Sequence, residues 1–286
     1  MSGAVPVAAS LADLRAFVRA RRAAGERIGL VPTMGALHDG HLSLIAAARQ
    51  RAERVIATIF VNPTQFGVNE DFSRYPRTFE TDCARLAEAA TDLVFAPSVA
   101  EMYPTGFVTS VSLAGPATAG LEDRFRPTHF SGVATVVAKL LNQAQADIAV
   151  FGEKDYQQLL VIRQMARDLD MPTEIFGAPT LREPDGLARS SRNVYLSPQE
   201  RARAPALYGA LDAAARAIAA GATLDAALAR ARAAVAHAGF EIDYIEARDA
   251  QTLAPVTDAS RGALRILAAA RLGATRLIDN VPAPTA

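Results

Sequence analysis

A single cysteine, Cys83, in 286 residues excludes an internal disulfide framework and any cysteine-rich zinc site. It shares a helical pattern with Phe79 and Leu86, the spacing of a packed side chain. Long apolar runs are also absent. No stretch reaches membrane-spanning length, and the N-terminus lacks the charged-then-apolar pattern of a secretory signal. Neither sign of charge is in excess, with 30 Lys plus Arg against 30 Asp plus Glu, and the basic residues are dispersed. A nucleic-acid partner is therefore not expected. No G-x-x-x-x-G-K-[ST] loop supports γ-phosphoryl transfer, and no G-x-G-x-x-G follows the first strand to hold a dinucleotide. His, Cys and carboxylate residues nowhere fall at metal-ligand spacing, so no protein-built metal site is expected. These absences leave a soluble cytoplasmic protein as the expectation.

What is present is apolar material in an ordered rhythm. Half the residues are hydrophobic, enough at this length for one large or two modest cores. Ser10 caps an expected helix that sets Leu11, Leu14, Phe17 and Val18 on one face and ends at Gly25. Strands are then predicted at Ile28–Val31, Val55–Val61, Asp92–Phe95 and Ile148–Phe151, and helices at His41–Glu53, Thr78–Ala90, Ser131–Gln145 and Tyr156–Leu169. Continuous apolar strands alternating with helices specify a Rossmann-like doubly wound parallel α/β sheet over residues 1–184. The texture changes near Asp185. Pro198 suits a helix start capped by Ser197, and the Ala-rich stretch 198–238 reads as two amphipathic helices broken at Gly221. Strands follow near Glu241–Arg248, Leu264–Ala270 and Thr275–Asp279, giving a smaller C-terminal α+β lid domain over 185–286, with a frayed tail after Val281.

Ligands bind such sheets beyond the carboxyl ends of the strands. Four segments there carry residue types that a core does not need. After the first strand comes Val31-Pro32-Thr33-Met34-Gly35-Ala36-Leu37-His38-Asp39-Gly40-His41. It brings two imidazoles and free backbone N–H groups to a helix start, an electropositive point that favours phosphate. After the second comes Asn62-Pro63-Thr64-Gln65-Phe66, whose amides suit a small polar substrate. The third is Gly152-Glu153-Lys154-Asp155, where Gly152 permits close approach, Lys154 supplies a mobile charge, and Asp155 can hold a ribose or a metal-bound water. Gln158 points back from the first turn of the helix beyond it. The fourth is the loop Arg189-Ser190-Ser191-Arg192, with the composition of a phosphate-gripping flap. His129 precedes a further helix and either caps it or lines the pocket. The set reads as a site that holds a nucleoside triphosphate and does chemistry on it.

Along essentially its whole length the chain resembles the pantoate–β-alanine ligases. The resemblance rests on Pro32-Thr33-Met34-Gly35 with His38-Asp39-Gly40-His41, Phe60-Val61-Asn62-Pro63-Thr64-Gln65-Phe66 and Arg74-Tyr75-Pro76-Arg77-Thr78. It rests further on His129-Phe130 with Gly132-Val133, Phe151-Gly152-Glu153-Lys154-Asp155, Asp185-Gly186-Leu187-Ala188 with Ser190-Ser191-Arg192-Asn193, and Leu277-Ile278-Asp279-Asn280. The His-x-Gly-His element alone would indicate only the wider nucleotidyl-transferring superfamily. The resemblance implies ATP-dependent condensation of pantoate with β-alanine through a pantoyl-adenylate, releasing AMP and pyrophosphate, with Mg²⁺ accompanying ATP, in a cytoplasmic homodimer. It assigns ATP contacts to Met34, Gly35, Ala36, Leu37, His38, Asp39, Gly40, His41, Gly152, Glu153, Lys154, Asp155, Leu181, Arg189, Ser190, Ser191 and Arg192. Gln65 and Gln158 would hold pantoate, Gln65 also β-alanine, and His41 would donate a proton. His38, Lys154 and Arg192 complete the expected catalytic set. Arg189 departs from the family pattern, which has Leu or Met there; it either adds a phosphate contact or faces solvent. The alternative is a nucleotidyltransferase of the same superfamily acting on another small substrate.

Overall fold

The computed structural model describes residues 4–67, 72–257 and 262–283. The chain runs through β1 (Val7–Ala8), α1 (Leu11–Ala23), β2 (Ile28–Thr33), α2 (Asp39–Arg49), β3 (Arg54–Ile59), α3 (Phe79–Glu88), β4 (Leu93–Phe95), α4 (Val99–Met102) and α5 (Glu122–Phe125). It continues through α6 (His129–Ala144), β5 (Ile148–Gly152), α7 (Tyr156–Asp168), β6 (Glu174–Ala178), α8 (Pro198–Arg203), α9 (Ala206–Ala219), α10 (Leu224–His237), β7 (Glu241–Asp249), β8 (Leu264–Leu272) and β9 (Thr275–Ala283).

The first six strands form one sheet in the order β1-β4-β3-β2-β5-β6, and every pairing is parallel. Ile28, Leu30, Val31, Val55, Ile56, Ile148 and Val150 are fully buried, as helices on both faces require. After β2 the chain builds β3 and β4 on one side, then crosses to lay β5 and β6 on the other. The order therefore switches at β2, and the crevice beyond the carboxyl ends of β2 and β5 is where a ligand is received. None of the described helices is long and apolar enough to cross a membrane.

Strands β7, β8 and β9 form a separate antiparallel sheet. Strand β8 is buried on both faces. Leu267 and Ala269 join the core that contains α6 and α7, while Ile266, Ala268 and Ala270 pack in the core with α9 and α10. A largely buried ionic network also joins the second sheet to α5. Arg276 on β9 donates to both oxygens of Glu122, at 2.7 and 2.8 Å, and to Asp243 at 2.6 Å; the Tyr244 hydroxyl donates to Glu122 at 2.8 Å.

Several expectations need correction. Edge strands β1 and β6 were not foreseen. The Ala-rich stretch holds three helices rather than two, because Pro205 interrupts it as well as Gly221. Helix α2 starts at Asp39 and ends at Arg49, not at His41 and Glu53. The tail is not frayed at Pro282 and Ala283, which pair with Arg265 and Leu264; residues 284–286 lie outside the described residues.

Burial alone would raise the Glu122 carboxyl, but the Arg276 guanidinium outweighs it and holds the group below its usual range. A depressed folded value means stabilisation that is present above the unfolded pKa and lost as pH falls through the folded one. Arg276→Met strands a buried carboxylate and should cost about 3–5 kcal/mol at neutral pH in urea unfolding. Adding Glu122→Gln should recover part of the loss. A loss below about 1 kcal/mol would mean that the pair behaves as a solvated one.

Candidate active site

The turn leaving β2 is shaped by a carboxylate. Asp82 on α3 is only 1 % exposed, and it accepts from the N–H groups of Ala36 at 2.9 Å and Leu37 at 2.8 Å and from the Thr78 hydroxyl at 3.1 Å. Gly35 and Ala36 both have positive φ, at 81° and 51°. A Cβ on Gly35 would lie 3.0 Å from the Asp82 carboxylate and 3.3 Å from Ile59, so the turn admits only glycine there without strain.

The two histidines cap α2 reciprocally. His38 Nδ1 accepts from the Gly40 N–H at 3.1 Å, and His41 Nδ1 accepts from the His38 N–H at 3.3 Å. The rings lie 4.1 Å apart, tilted by 37°. A Cβ on Gly40 would come within 2.8 Å of the His38 ring, so this folded-back geometry needs the glycine between them. An Nδ1 that accepts leaves the ring proton on Nε2. Burial, followed by the charges of Lys154 and Arg189, lowers the His38 pKa to about 4. Burial, then His38 and Lys154, lowers that of His41 to about 3. Both rings are thus neutral Nε2–H donors. The free backbone N–H groups expected from the sequence are largely consumed: those of Ala36 and Leu37 by Asp82, and those of His38 and Gly40 by the imidazoles. The imidazoles present the donors instead.

Across the cleft, Asn62 and Gln65 form one amide pair. Asn62 Nδ2 donates to Gln65 Oε1 at 3.1 Å and to the Gly132 carbonyl at 3.2 Å, while its Oδ1 accepts from the Tyr103 hydroxyl at 2.8 Å. Gln65 Nε2 lies 3.0 Å from the Met34 sulfur, a weak acceptor. Gly132 lets α6 press against this turn, since a Cβ there would sit 2.3 Å from the Thr64 carbonyl oxygen. His129, at the start of α6, is buried and has its Nδ1 3.0 Å from the Gln65 carbonyl oxygen. It lines the cleft, and the N-cap position of α6 belongs to Thr128.

The β5 end is held from the second sheet. Asn280 Nδ2 donates to the carbonyls of Glu153 and Lys154, both at 2.9 Å, and Arg265 donates to Asn280 Oδ1 at 2.6 Å and Glu153 at 3.0 Å. The Lys154 ammonium lies 3.7 Å from Asp155. The loop after β6 is tied across the α2 start: Arg189 pairs with Asp39 and, at 3.1 Å, with Glu183. Ser190 Oγ accepts from the Arg192 N–H at 3.3 Å, which turns the loop.

These parts enclose a cleft of about 230 Å³. Of the residues expected from the sequence, Met34, His38, Gly40, His41, Asn62, Gln65, Gly152, Lys154, Asp155, Gln158, Leu181, Arg189, Ser190, Ser191 and Arg192 line it. Gly35, Ala36, Leu37, Asp39 and Glu153 do not; they shape its wall through Asp82, Arg189 and Arg265. Asp82, Asn280, Arg265 and Arg126 escaped the site reading. Asp82 had a signal, a carboxylate four residues before buried Leu86 on one helix face. Among the described residues no group of three or more His, Cys, Asp or Glu could hold a metal ion.

The model of the pantoate-beta-alanine ligase family matches residues 6–282. A pantothenate synthetase of Bradyrhizobium sp. strain BTAi1 is 55% identical over 281 residues, covering 98% of this chain and 99% of that protein. Pantothenate synthetase 2 of Bradyrhizobium diazoefficiens is 56% identical over the same coverage. The crystal structure of pantothenate synthetase from Thermus thermophilus superposes with a TM-score of 0.91 at 49% identity, over 97% of this chain and 99% of that one. A Francisella tularensis pantoate-beta-alanine ligase complexed with beta-gamma ATP and beta-alanine gives 0.79 at 35% identity, over 99% of each chain.

The capping geometry predicts that His38 and His41 stay neutral and Nε2-protonated in the ligand-free protein from pH 8 to about pH 5, read from imidazole ¹⁵N shifts. A titration of either ring near its ordinary value would contradict the geometry.

Proposed function

We propose that this chain, which belongs to the pantoate-beta-alanine ligase family, condenses pantoate with β-alanine using ATP and releases AMP and pyrophosphate. The observation that carries the reading is the lining of one cleft, which brings neutral imidazole donors, Lys154 and the Ser190–Arg192 loop together with the Asn62–Gln65 amide pair and Gln158.

A carboxylate is a poor acyl donor because its leaving group would be oxide. Adenylation replaces that leaving group with AMP, and the first barrier becomes in-line displacement at the α-phosphorus. Positioning and neutralisation of developing charge are then the tasks of the protein. In this reading the Nε2–H groups of His38 and His41 donate to phosphate oxygens, and Lys154 and Arg192 stabilise the departing pyrophosphate. His41 acts as a neutral hydrogen-bond donor, since its lowered pKa leaves no imidazolium at neutral pH. Ser190 and Ser191 add hydroxyl donors, and Leu181 offers an exposed apolar surface to the base. Arg189 reaches a phosphate only by leaving Asp39 and Glu183, so its first role is to tie the loop down. Gln65 and Gln158 orient the hydroxyls of pantoate.

The donor set fits a metal that arrives on the nucleotide: among the described residues Asp155 is the carboxylate that lines the cleft, and the remaining ligands of Mg²⁺ would be phosphate oxygens and water. Bound there, Mg²⁺ would neutralise triphosphate charge. Residues 185–286 serve as a lid domain that brings the Ser190–Arg192 loop over ATP and keeps water from the mixed anhydride. A cytoplasmic homodimer belongs to the same reading.

The test is pyrophosphate release on mixing ATP with pantoate alone, followed by pantothenate on addition of β-alanine. Accumulation of a stable adenylylated product would favour the nucleotidyltransferase alternative. His41→Ala or Lys154→Ala should slow pantoate-dependent pyrophosphate release in a single turnover by at least about a hundredfold. A rate near wild type in either variant would remove that residue from the mechanism.

A further inference from the structure

The amide pair in the cleft takes its orientation from groups that lie outside it. Asn62 is 1 % exposed, and both ends of its side chain are fully bonded. Its Nδ2 faces the Gly132 carbonyl, which can only accept, and its Oδ1 faces the Thr64 N–H at 3.3 Å, which can only donate. The amide therefore has one orientation, and its second N–H falls on Gln65 Oε1. Gln65 inherits its own orientation from that bond. Its oxygen is turned to Asn62, so it offers Nε2–H to the cleft, beside a Met34 sulfur too weak as an acceptor to compete with a substrate oxygen.

Three donors meet the Asn62 oxygen. Two are local, the Thr64 N–H and the Thr64 hydroxyl at 3.0 Å. The shortest bond comes from a distant residue: the Tyr103 hydroxyl donates at 2.8 Å from the position that follows α4. We propose that Tyr103 is a positioning residue for pantoate: it anchors the Asn62 amide to the α4 end and, through it, presents Gln65 to the substrate as a hydrogen-bond donor. This rests on the function proposed above. Tyr103 is not among the residues that line the cleft; it borders a separate groove with Pro63, Thr64 and Phe107, so it acts through Asn62 and not on the ligand. Its ring packs against Phe60, with centroids 6.1 Å apart, and Phe107, at 5.2 Å. Phe60 itself lines the cleft, so the ring that carries the hydroxyl is seated on the cleft wall. Burial raises the phenol above its ordinary pKa, which keeps it a donor throughout the neutral range. Without that hydroxyl the Asn62 oxygen keeps only the donors of its own turn, and the amide pair loses its tie to α4.

Tyr103→Phe keeps the ring and removes the donor. In pantoate-dependent exchange of pyrophosphate into ATP, measured without β-alanine, the pantoate concentration for half-maximal rate should rise about fivefold, as loss of one hydrogen bond to a buried amide requires. Adding Thr64→Val, which removes the local hydroxyl as well, should bring the rise to at least about twentyfold. The half-maximal ATP concentration should stay within about twofold in both variants, which also reports folding. A double-mutant cycle separates positioning from general support. In a Gln65→Met background, which keeps the shape and removes the amide, Tyr103→Phe should change the pantoate value by less than about twofold. An unchanged pantoate value in Tyr103→Phe, an equal rise for pantoate and ATP, loss of exchange at every pantoate concentration, or the same fivefold change without the Gln65 amide would overturn the assignment. Absence of pantoate-dependent exchange in the wild-type protein would instead refute the function it rests on.

Discussion

The reciprocal cap of His38 and His41 is the constraint on which the site depends. A helix start has N–H groups that must find acceptors, and here two are met by Nδ1 atoms of residues that also face the cleft. One arrangement satisfies the backbone, selects the tautomer and leaves Nε2–H as the donor. It also explains Gly40, whose missing Cβ is the space the His38 ring occupies. Burial keeps both rings neutral, so the cleft gains donors without two positive charges crowded beside Lys154.

The cap is only as well placed as the turn leading to it. That turn depends on Asp82, reaching across from α3, and on the left-handed conformations of Gly35 and Ala36. Lys154 is placed in a comparable way from a distance. The β9 residue Asn280 holds the carbonyls of Glu153 and Lys154, and Arg265 on β8 braces both Asn280 and Glu153. The second sheet is therefore part of the site although it contributes few cleft residues. Arg189 adds a tie from the loop after β6 to the α2 start through Asp39.

The parallel sheet was legible because β2, β3 and β5 are continuous apolar runs, and the site segments because they follow those runs directly. Strand β1 has two residues and β6 lies between Pro172 and Pro179, too short to show a period. The break at Pro205 was hidden in an Ala-rich stretch whose helical pattern continues across it. Asp82 and Asn280 were missed for another reason. Each acts on backbone far away in sequence, at separations of 45 and 126 residues for Leu37 and Lys154, and no local pattern encodes such a contact. Asp39 and Glu153 sit inside the motifs expected to contact ATP, and their carboxylates pair with Arg189 and Arg265.

All of these groups converge on a single claim, that the cleft activates a carboxylate by joining it to the α-phosphate. Oxygen tracing tests it most directly. With pantoate labelled by ¹⁸O in both carboxylate oxygens, a pantoyl-adenylate route places one labelled oxygen in AMP and leaves the other in the amide of pantothenate. Label found in pyrophosphate, or in neither AMP nor pyrophosphate, would contradict it.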